Sequence, residues 1–438
     1  MPTAATHTLA DRYAIERDMV HVLARMEYNG CRIDLQKIAQ LDEHYGQRRE
    51  QSKVKFFALL GEEINLNSPK QLLEAFKRVG LSPTKRDGRE RKPSTEDAAL
   101  TEIKDKHPSI VELLTYRAYN TLKTRYTEVI PTKIATATGR LHGTFNQTVV
   151  VTGRLSSSGG LNLQTLPARD SDYAGKDGKR IRETVVSQPG WVVLAADMSQ
   201  AELRILAHFS QDAVLLEAYR TGQDLHMRTA ELLFADVPEF WVALTQWKAA
   251  GCPKDRGHVL DKYRSIAKNT SFAQLYGAGP SKVAEMTGLL IEEAKLINKK
   301  YMSSLRGVAR WIQQQHEWVQ QCGYVSSLFG RAMPVNNWNA DDAGLRAGAL
   351  RDSVNYPIQA TNAELIKRAM INTQREIDQL QLHGMIILQV HDEMVMEVPE
   401  AELEQTKQIV RKHLIYAPEL SVPMDASAGV GVSWAAAK

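Results

Sequence analysis

Apolar residues recur at helical spacing through the first part of the chain. Within residues 11–60 they fall three or four positions apart, which is the period of a helix with one buried face. The clearest set is Ile15, Met19, Val22, Leu23 and Met26. The first 130 residues are therefore predicted to form a helical unit.

The pattern changes near Ile130, where short segments with Gly and Thr replace the long helical runs. Residues 148–155 are strand-like, and residues 191–196 form a short apolar run that is typical of a buried strand. Residues 201–350 return to a mostly helical pattern. Residues 385–398 contain two apolar runs around a polar tetrad, which predicts a β-hairpin.

Length and composition narrow the class of protein. A chain of 438 residues is longer than one hydrophobic core usually organises, so we expect two to four subdomains. The cysteines Cys31, Cys252 and Cys322 lie far apart, which fits neither a disulfide framework nor a Cys-rich zinc site. No apolar run approaches the roughly 20 residues that cross a bilayer. The expectation is a globular protein of a reducing compartment, without membrane contact.

The net charge of +4 is only a weak sign of a polyanionic partner, but its distribution is uneven. Between residues 77 and 92, seven cations are opposed by two carboxylates. The cations are Lys77, Arg78, Lys85, Arg86, Arg89, Arg91 and Lys92. A solvated surface loop explains such a run in isolation. Contact with nucleic-acid phosphates explains it if other elements also indicate nucleic acid.

Two carboxylates stand where apolar strands are predicted to end. Asp197 follows the run 191–196, and Asp392 lies in the turn of the predicted hairpin. Taken singly, each is better explained as a turn residue. Brought together, the two would repel each other and bind divalent cations, as in two-metal phosphoryl transfer.

Every fourth residue of one helical segment is a cation or an aromatic ring: Arg264, Lys268, Phe272 and Tyr276. On a helix these side chains share one sector of about 120°. Cations suit a triphosphate and aromatic rings suit a base or sugar, whereas such a stripe would pack poorly as a core. The alternative is an amphipathic helix with incidental cations. Gly277 predicts the end of this helix.

These segments resemble the polymerase region of the family A DNA polymerases. Counterparts of three family motifs occur at residues 197–204, 264–277 and 389–393. Further matching segments are 152–157, 162–164 and 355–359, with Arg351 ahead of the last. The resemblance runs from about Glu16 to Trp434.

The resemblance implies an α+β fold in the shape of a right hand, with an antiparallel-sheet palm and a helical thumb and fingers. The implied division has five parts. They are residues 1–34 as a palm-associated N-terminal helix, 35–128 as the thumb, 129–223 as the first part of the palm with Asp197, 224–348 as the fingers, and 349–438 as the second part of the palm with Asp392.

The resemblance also implies a catalytic centre that uses two Mg²⁺ ions. Asp197 and Asp392 would hold the metals together with the carbonyl oxygen of Met198. Glu393 would play a secondary catalytic part, and Lys268 would donate a proton to the departing pyrophosphate.

Deoxynucleotides are the implied substrates. The residues implied in binding them are Arg264, Lys268, Phe272, Tyr276, His226, Glu202 and Gln200. Glu202 resembles the family's steric gate, a side chain that occupies the space of a ribose 2′-hydroxyl.

Primer–template DNA is the implied macromolecular partner. The residues implied in binding it are Arg154, Asn162, Gln164, Arg351, Asn355, Gln359, His391, Lys85 and Arg86. Those that resemble minor-groove readers would check the shape of a base pair rather than its sequence.

The chain departs from the family pattern at several points. The stretch between His226 and Arg264 is longer than usual, and Ala360 and Asn362 stand where the family usually has Gly and Ala. Almost nothing precedes the predicted thumb. We therefore expect a polymerase without the family's proofreading exonuclease and 5′ nuclease.

Two alternatives stay open. A reverse transcriptase or single-subunit RNA polymerase would share the catalytic motifs, although Glu202 argues against the use of ribonucleotides. A non-catalytic primer–template binding or processivity subunit would not need Asp197, Asp392 and Lys268. A monomer is expected in the cytoplasm of a bacterial or phage-infected cell, with an organelle also open. A processivity or replication partner is left open, as is the choice between replication, repair and lesion bypass.

Overall fold

The computed structural model describes residues 8–83, 93–159, 161–168, 170–253 and 255–438. The predicted DNA contacts Lys85 and Arg86 lie outside these residues. No helix within the described ranges is long and apolar enough to cross a membrane.

The N-terminal part is helical, as its apolar spacing predicts. Its elements are α1 (Leu9–Asn29), β1 (Cys31–Arg32), α2 (Leu35–Leu60), α3 (Pro69–Arg78), α4 (Asp97–Thr101), α5 (Pro108–Leu122) and α6 (Ile130–Lys133). Helices α2 to α5 share a hydrophobic core of their own, with Phe56, Phe76, Leu100 and Ile110 buried in it. This core lies within the segment 35–128.

Short strands and turns follow, and then the first long strand. The strands are β2 (Ile134–Ala135), β3 (Arg140–Leu141), β4 (Thr144–Asn146), β5 (Ser156–Ser158) and β6 (Trp191–Met198). The prediction of a strand at 148–155 is wrong, because these residues form turns and irregular backbone. Gly153 has a φ of 73°, and a Cβ there would lie 2.8 Å from the Arg331 guanidinium. The chain turns there against that side chain instead of extending.

Helices dominate the next part of the chain. Its elements are α7 (Ala201–Ser210), α8 (Ala213–Arg220), α9 (Leu225–Leu233), α10 (Pro238–Ala249), α11 (Gly257–Leu275), α12 (Pro280–Thr287), α13 (Ile291–Ser304), α14 (Arg306–Cys322), β7 (Tyr324–Ser326) and β8 (Ala332–Pro334). The stretch between His226 and Arg264 includes α10, which packs on α11 through buried Phe240 and Leu244.

The C-terminal part completes the main sheet. Its elements are α15 (Ala343–Gln379), β9 (Met385–Val390), β10 (Glu393–Pro399), α16 (Leu403–Ile415) and β11 (Ala426–Gly431). The strand order is β11-β6-β10-β9, and all neighbours are antiparallel. The predicted strand at 191–196 and the predicted hairpin at 385–398 are both confirmed. Helices α1 and α16 pack against this sheet.

Candidate functional site

Asp197 and Asp392 meet at one end of the main sheet. Asp197 lies in β6 directly opposite Glu393 of β10. The backbone N–H of Met198 donates a hydrogen bond to the carbonyl oxygen of Asp392 over 3.2 Å. The structure therefore brings together the two carboxylates that the sequence places at strand ends.

Both carboxylates resist ionisation in this arrangement. Burial, followed by the negative charges of Asp197 and Glu202, raises the pKa of Asp392 to about 7. Burial also raises the pKa of Asp197; Lys438 opposes this rise and Glu393 adds to it. A cation between the two carboxylates would stabilise their charged forms.

This donor set fits Mg²⁺ that is held jointly by protein and substrate. No group of three or more His, Cys, Asp or Glu side chains suited to a metal occurs in the described part of the chain. However, Mg²⁺ at phosphoryl-transfer sites is usually bound by one or two carboxylates, with waters and substrate phosphates as the other ligands. Asp197 and Asp392 provide that number of carboxylates.

Glu393 is buried, and its carboxylate is engaged by the protein. Trp434 Nε1 donates to its Oε1 over 2.8 Å, and Lys438 Nζ lies 2.9 Å from its Oε2. The guanidinium of Arg182 lies 3.9 Å from the same Oε2 and stacks over the Trp434 ring. Glu393 therefore lies opposite Asp197 in the strand pair, and the protein itself supplies cations and a hydrogen-bond donor to its carboxylate.

Arg264, near the middle of α11, is bonded to the start of α9. Arg264 donates from Nε and Nη2 to the two carboxylate oxygens of Asp224, over 2.8 and 3.3 Å. Asp224 also caps α9 by accepting from the backbone N–H groups of His226 and Met227. One carboxylate therefore orients Arg264 relative to His226.

Further predicted nucleotide contacts lie on the adjoining faces of α9 and α11. His226 is buried, its Nδ1 has no hydrogen-bond partner, and its ring centroid lies 6.1 Å from that of Phe272. Burial, aided by the charge of Arg264, lowers the pKa of His226 to about 4, so the imidazole is neutral at pH 7. Lys268 is exposed one turn beyond Arg264.

Glu202 connects the aromatic end of α11 to the carboxylate pair. Its Oε1 accepts a hydrogen bond from Arg154, and it also bonds the hydroxyl of Tyr276. Burial, and then the charge of Glu202, raises the pKa of Tyr276. Nearby Gln200 has left-handed backbone with a φ of 54°, and its Oε1 accepts from the Tyr219 hydroxyl over 3.0 Å.

The predicted minor-groove readers on α15 follow one face of the helix. Arg351, Asn355 and Gln359 are spaced four residues apart and are half-buried or exposed. Gly277, at the end of α11, has a φ of 57°, and a Cβ there would lie 2.9 Å from Arg351 Cα. The end of α11 therefore touches this face of α15.

The other predicted DNA contacts surround the hairpin turn. Gln164 Nε2 donates to the side-chain and backbone oxygens of Gln389, over 3.1 and 3.2 Å. Gln389 in turn donates to the carbonyl of His391, which has a φ of 59°. Asn162 uses its Oδ1 locally, to accept from the backbone N–H of Gln164 over 2.9 Å.

The residues of the site that sequence reasoning missed include Asp224, Arg182, Trp434 and Lys438. Asp224 carries a signal that could have found it, since it stands two residues before His226 with the residue type of an N-cap. Trp434 and Lys438 carry none. The Trp434 contact with Glu393 joins residues 41 positions apart, which only the fold reveals.

Comparison with known proteins decides the family. The family model described as DNA polymerase family A matches residues 35–436 of this chain. The chain belongs to DNA polymerase family A.

Individual relatives within family A agree with this assignment. The thermostable DNA polymerase I of Thermus filiformis is 36% identical over 425 residues, which cover 97% of this chain and 48% of that protein. DNA polymerase I of Pseudomonas aeruginosa is 34% identical over 422 residues, covering 96% of this chain and 44% of that protein. The chain spans about half the length of the curated relatives it matches.

A solved structure extends the similarity to the fold. The POL domain of Pol1 from M. smegmatis, in a complex with DNA primer-template and dNTP, superposes with a TM-score of 0.85 at 33% identity. The match covers 96% of this chain and 70% of that one. The expected α+β polymerase fold of family A is confirmed.

Proposed function

We propose that this chain is a template-directed DNA polymerase that adds dNTPs to the 3′ end of a primer. The observation that carries the proposal is the pairing of Asp197 with Asp392 at the sheet end. The cation-and-aromatic helix α11 adjoins this pair, because Tyr276 bonds Glu202 and the charge of Glu202 acts on Asp392. Metal-binding carboxylates beside a triphosphate-binding face constitute a nucleotidyltransferase site.

The five parts expected from the sequence carry over to this proposal. Residues 35–128 would be the thumb and 224–348 the fingers. The palm would comprise 129–223 and 349–438, with the helix of 1–34 against it. The core that α2 to α5 share supports a thumb with a hydrophobic core of its own. The chain would act as a monomer on primer–template DNA.

The incoming nucleotide would lie along α11. Arg264 and Tyr276 are twelve residues apart, which corresponds to about 18 Å along a helix axis. Arg264 and Lys268 would bind the triphosphate at one end, with neutral His226 on the β-phosphate. Phe272 would pack on the sugar, and Tyr276 would lie near the templating base.

In this mechanism, two Mg²⁺ ions would be held by Asp197, Asp392 and the carbonyl oxygen of Met198. When bound, the ions would supply Lewis-acid activation of the primer hydroxyl and would neutralise charge at the phosphates. Lys268 would donate a proton to the departing pyrophosphate. Arg264 would bind the triphosphate with the guanidinium N–H groups that its two bonds to Asp224 leave free. Rotation of α11 onto the palm would assemble these groups around a correctly paired nucleotide.

Selection of substrate and primer would come from the groups around Glu202. Glu202 would occupy the space of a ribose 2′-hydroxyl, and Gln200 would lie beside the nucleotide. The residues proposed to contact DNA are Arg154, Asn162, Gln164, Arg351, Asn355, Gln359 and His391 in the described part of the chain, with Lys85 and Arg86 outside it.

Primer extension on a labelled primer–template with Mg²⁺ tests the proposal. We expect template-dependent addition of dNTPs, little addition of NTPs, and no shortening of a mismatched primer end. Addition of NTPs as efficiently as dNTPs would support an RNA polymerase instead. Tight, salt-sensitive DNA binding without any incorporation would support an accessory subunit.

A further inference from the structure

Asn362 is a buried polar residue whose acceptor has no partner. Only 3% of the residue is exposed, and its Oδ1 receives no hydrogen bond. Leaving a buried acceptor unpaired destabilises the fold, so native structures rarely keep one without a use for it.

The helical position of Asn362 aligns it with the proposed DNA contacts. At 100° per residue, Arg351, Asn355, Gln359 and Asn362 fall within a sector of about 80° on α15. Asn362 lies about 4.5 Å further along the axis than Gln359. It therefore extends the polar face of α15 toward the end of the main sheet.

Asn362 borders a small cavity at that end. The cavity has a volume of about 20 Å³, and its walls include Arg154, Asn362, Gln389 and His391. This is room for about one water molecule. Of these residues, Arg154 has the most N–H donors to offer, since a guanidinium carries five.

Arg154 has two proposed partners, Glu202 and the DNA, and its hydrogen bond to Glu202 in this structure does not hold it against the DNA. It donates to Glu202 in this structure, with 28% of its side chain exposed. In the proposed function, Glu202 faces the sugar of the incoming nucleotide while Arg154 contacts the minor groove of the primer–template DNA. A second acceptor is then needed to hold the guanidinium when Glu202 turns to the nucleotide.

We propose that Asn362 is a positioning residue for Arg154, and that its Oδ1 accepts a guanidinium hydrogen bond which aims Arg154 at the primer-terminal base pair. This inference rests on the proposed function. It assigns no contact with the nucleotide to Asn362. Loss of the amide should therefore misplace the primer end without weakening nucleotide binding.

Steady-state primer extension with the full chain tests this role. Asn362→Ala should lower kcat on a matched primer about tenfold, the value of one charge-assisted hydrogen bond, while the KM for dNTP changes less than about twofold. Asn362→Asp keeps an acceptor oxygen in the same place and should retain kcat within about threefold of wild type. Asn372→Ala, on the same helix, should change neither constant.

A double-mutant cycle separates positioning from packing. In an Arg154→Ala background, adding Asn362→Ala should change kcat less than about twofold, because the residue acts through Arg154. The melting temperature of Asn362→Ala should stay within about 3 °C of wild type, since its Oδ1 has no partner to lose.

Three outcomes would overturn the inference. One is an unchanged kcat for Asn362→Ala. Another is an equal loss of kcat with and without Arg154. The third is a loss of kcat that follows a large fall in melting temperature and is not rescued by Asn362→Asp. A wild-type chain that extends no primer would overturn the proposed function itself, and this inference with it.

Discussion

The backbone N–H of Met198 donates to the carbonyl oxygen of Asp392 over 3.2 Å, which bonds the end of β6 to the turn between β9 and β10. A backbone hydrogen bond holds the two strand ends together regardless of the ionisation state of the side chains. Asp197 and Asp392 therefore remain close even though their charges repel each other. The fold imposes an unfavourable charge arrangement that a divalent cation would relieve.

The first prediction concerns Asp392→Asn. The substitution removes a proposed metal ligand, so kcat should fall by about 10³-fold or more, while the Kd for primer–template stays within about threefold. Single-turnover extension and fluorescence anisotropy measure the two quantities. Asp378→Asn, an exposed carboxylate on α15, serves as the control. An Asp392→Asn chain that keeps a tenth of wild-type kcat would refute the assignment.

The same variant should gain stability at high pH. The pKa of Asp392 is raised to about 7 in the folded chain from a usual 3.8, so the folded state is disfavoured as pH rises from about 4 through 7. Asp392→Asn should therefore exceed wild type by a few kcal/mol in free energy of unfolding at pH 8, and by little at pH 4. Urea unfolding without divalent cations measures this. Equal differences at both pH values would contradict the raised pKa.

Local sequence pattern predicted the strands and helices that carry the candidate catalytic residues. The run 191–196 and the hairpin at 385–398 are short, apolar and bounded by polar residues, which is the pattern of buried strands. The segment 148–155 has strand-like residues but no strand, because Gly153 turns the chain against Arg331. That contact is tertiary, and no local pattern shows it.

The hydrogen-bond and ion-pair partners within the candidate site were less predictable from the sequence than the motifs. The spacing on α11 predicted a shared face for Arg264, Lys268, Phe272 and Tyr276, but not that Arg264 is held by Asp224. The carboxylate of Glu393 was expected to lie near the metals, and its bonds to Trp434 and Lys438 could not be foreseen. Such bonds depend on how distant segments return to one sheet.

The second prediction concerns the steric gate. Glu202→Ala should open the space of the 2′-hydroxyl and lower discrimination against NTPs by about 100-fold, as expected when steric exclusion worth a few kcal/mol is lost. It also frees Arg154 and Tyr276, so kcat/KM for dNTPs should fall as well. Glu202→Gln keeps the size of the side chain and should keep the discrimination. Loss of discrimination in both variants would show that charge, and not size, excludes the ribose.

The third prediction concerns Asp224→Asn. Asn still caps α9, but it loses the charge that orients Arg264 through two hydrogen bonds. The KM for dNTPs should rise about tenfold, with kcat within about threefold of wild type. Asp236→Asn, which removes a surface carboxylate paired with Lys300, should leave the KM unchanged. A lower KM for Asp224→Asn would mean that Asp224 competes with the triphosphate for Arg264 instead of orienting it.

The fourth prediction concerns the acid stability that His226 confers on the nucleotide-free chain. Its folded pKa is about 4, below the usual 6.5, so between these values the unfolded chain binds a proton that the folded chain excludes. The contribution of His226 is therefore fully present above pH 6.5, and it is lost as pH falls toward 4, by up to about 3 kcal/mol. Burial lowers the pKa of His208 and His316 as well, so the wild-type curve contains their contributions too.

The difference in acid stability between wild type and His226→Gln isolates the contribution of His226. Urea unfolding at pH 7 and pH 4.5 should show about 2 kcal/mol less acid loss in His226→Gln, whereas His21→Gln, at an exposed site, should follow wild type. Equal acid loss in all three chains would mean that the folded chain binds a proton on His226 as readily as the unfolded chain, and that burial does not lower the pKa of this imidazole.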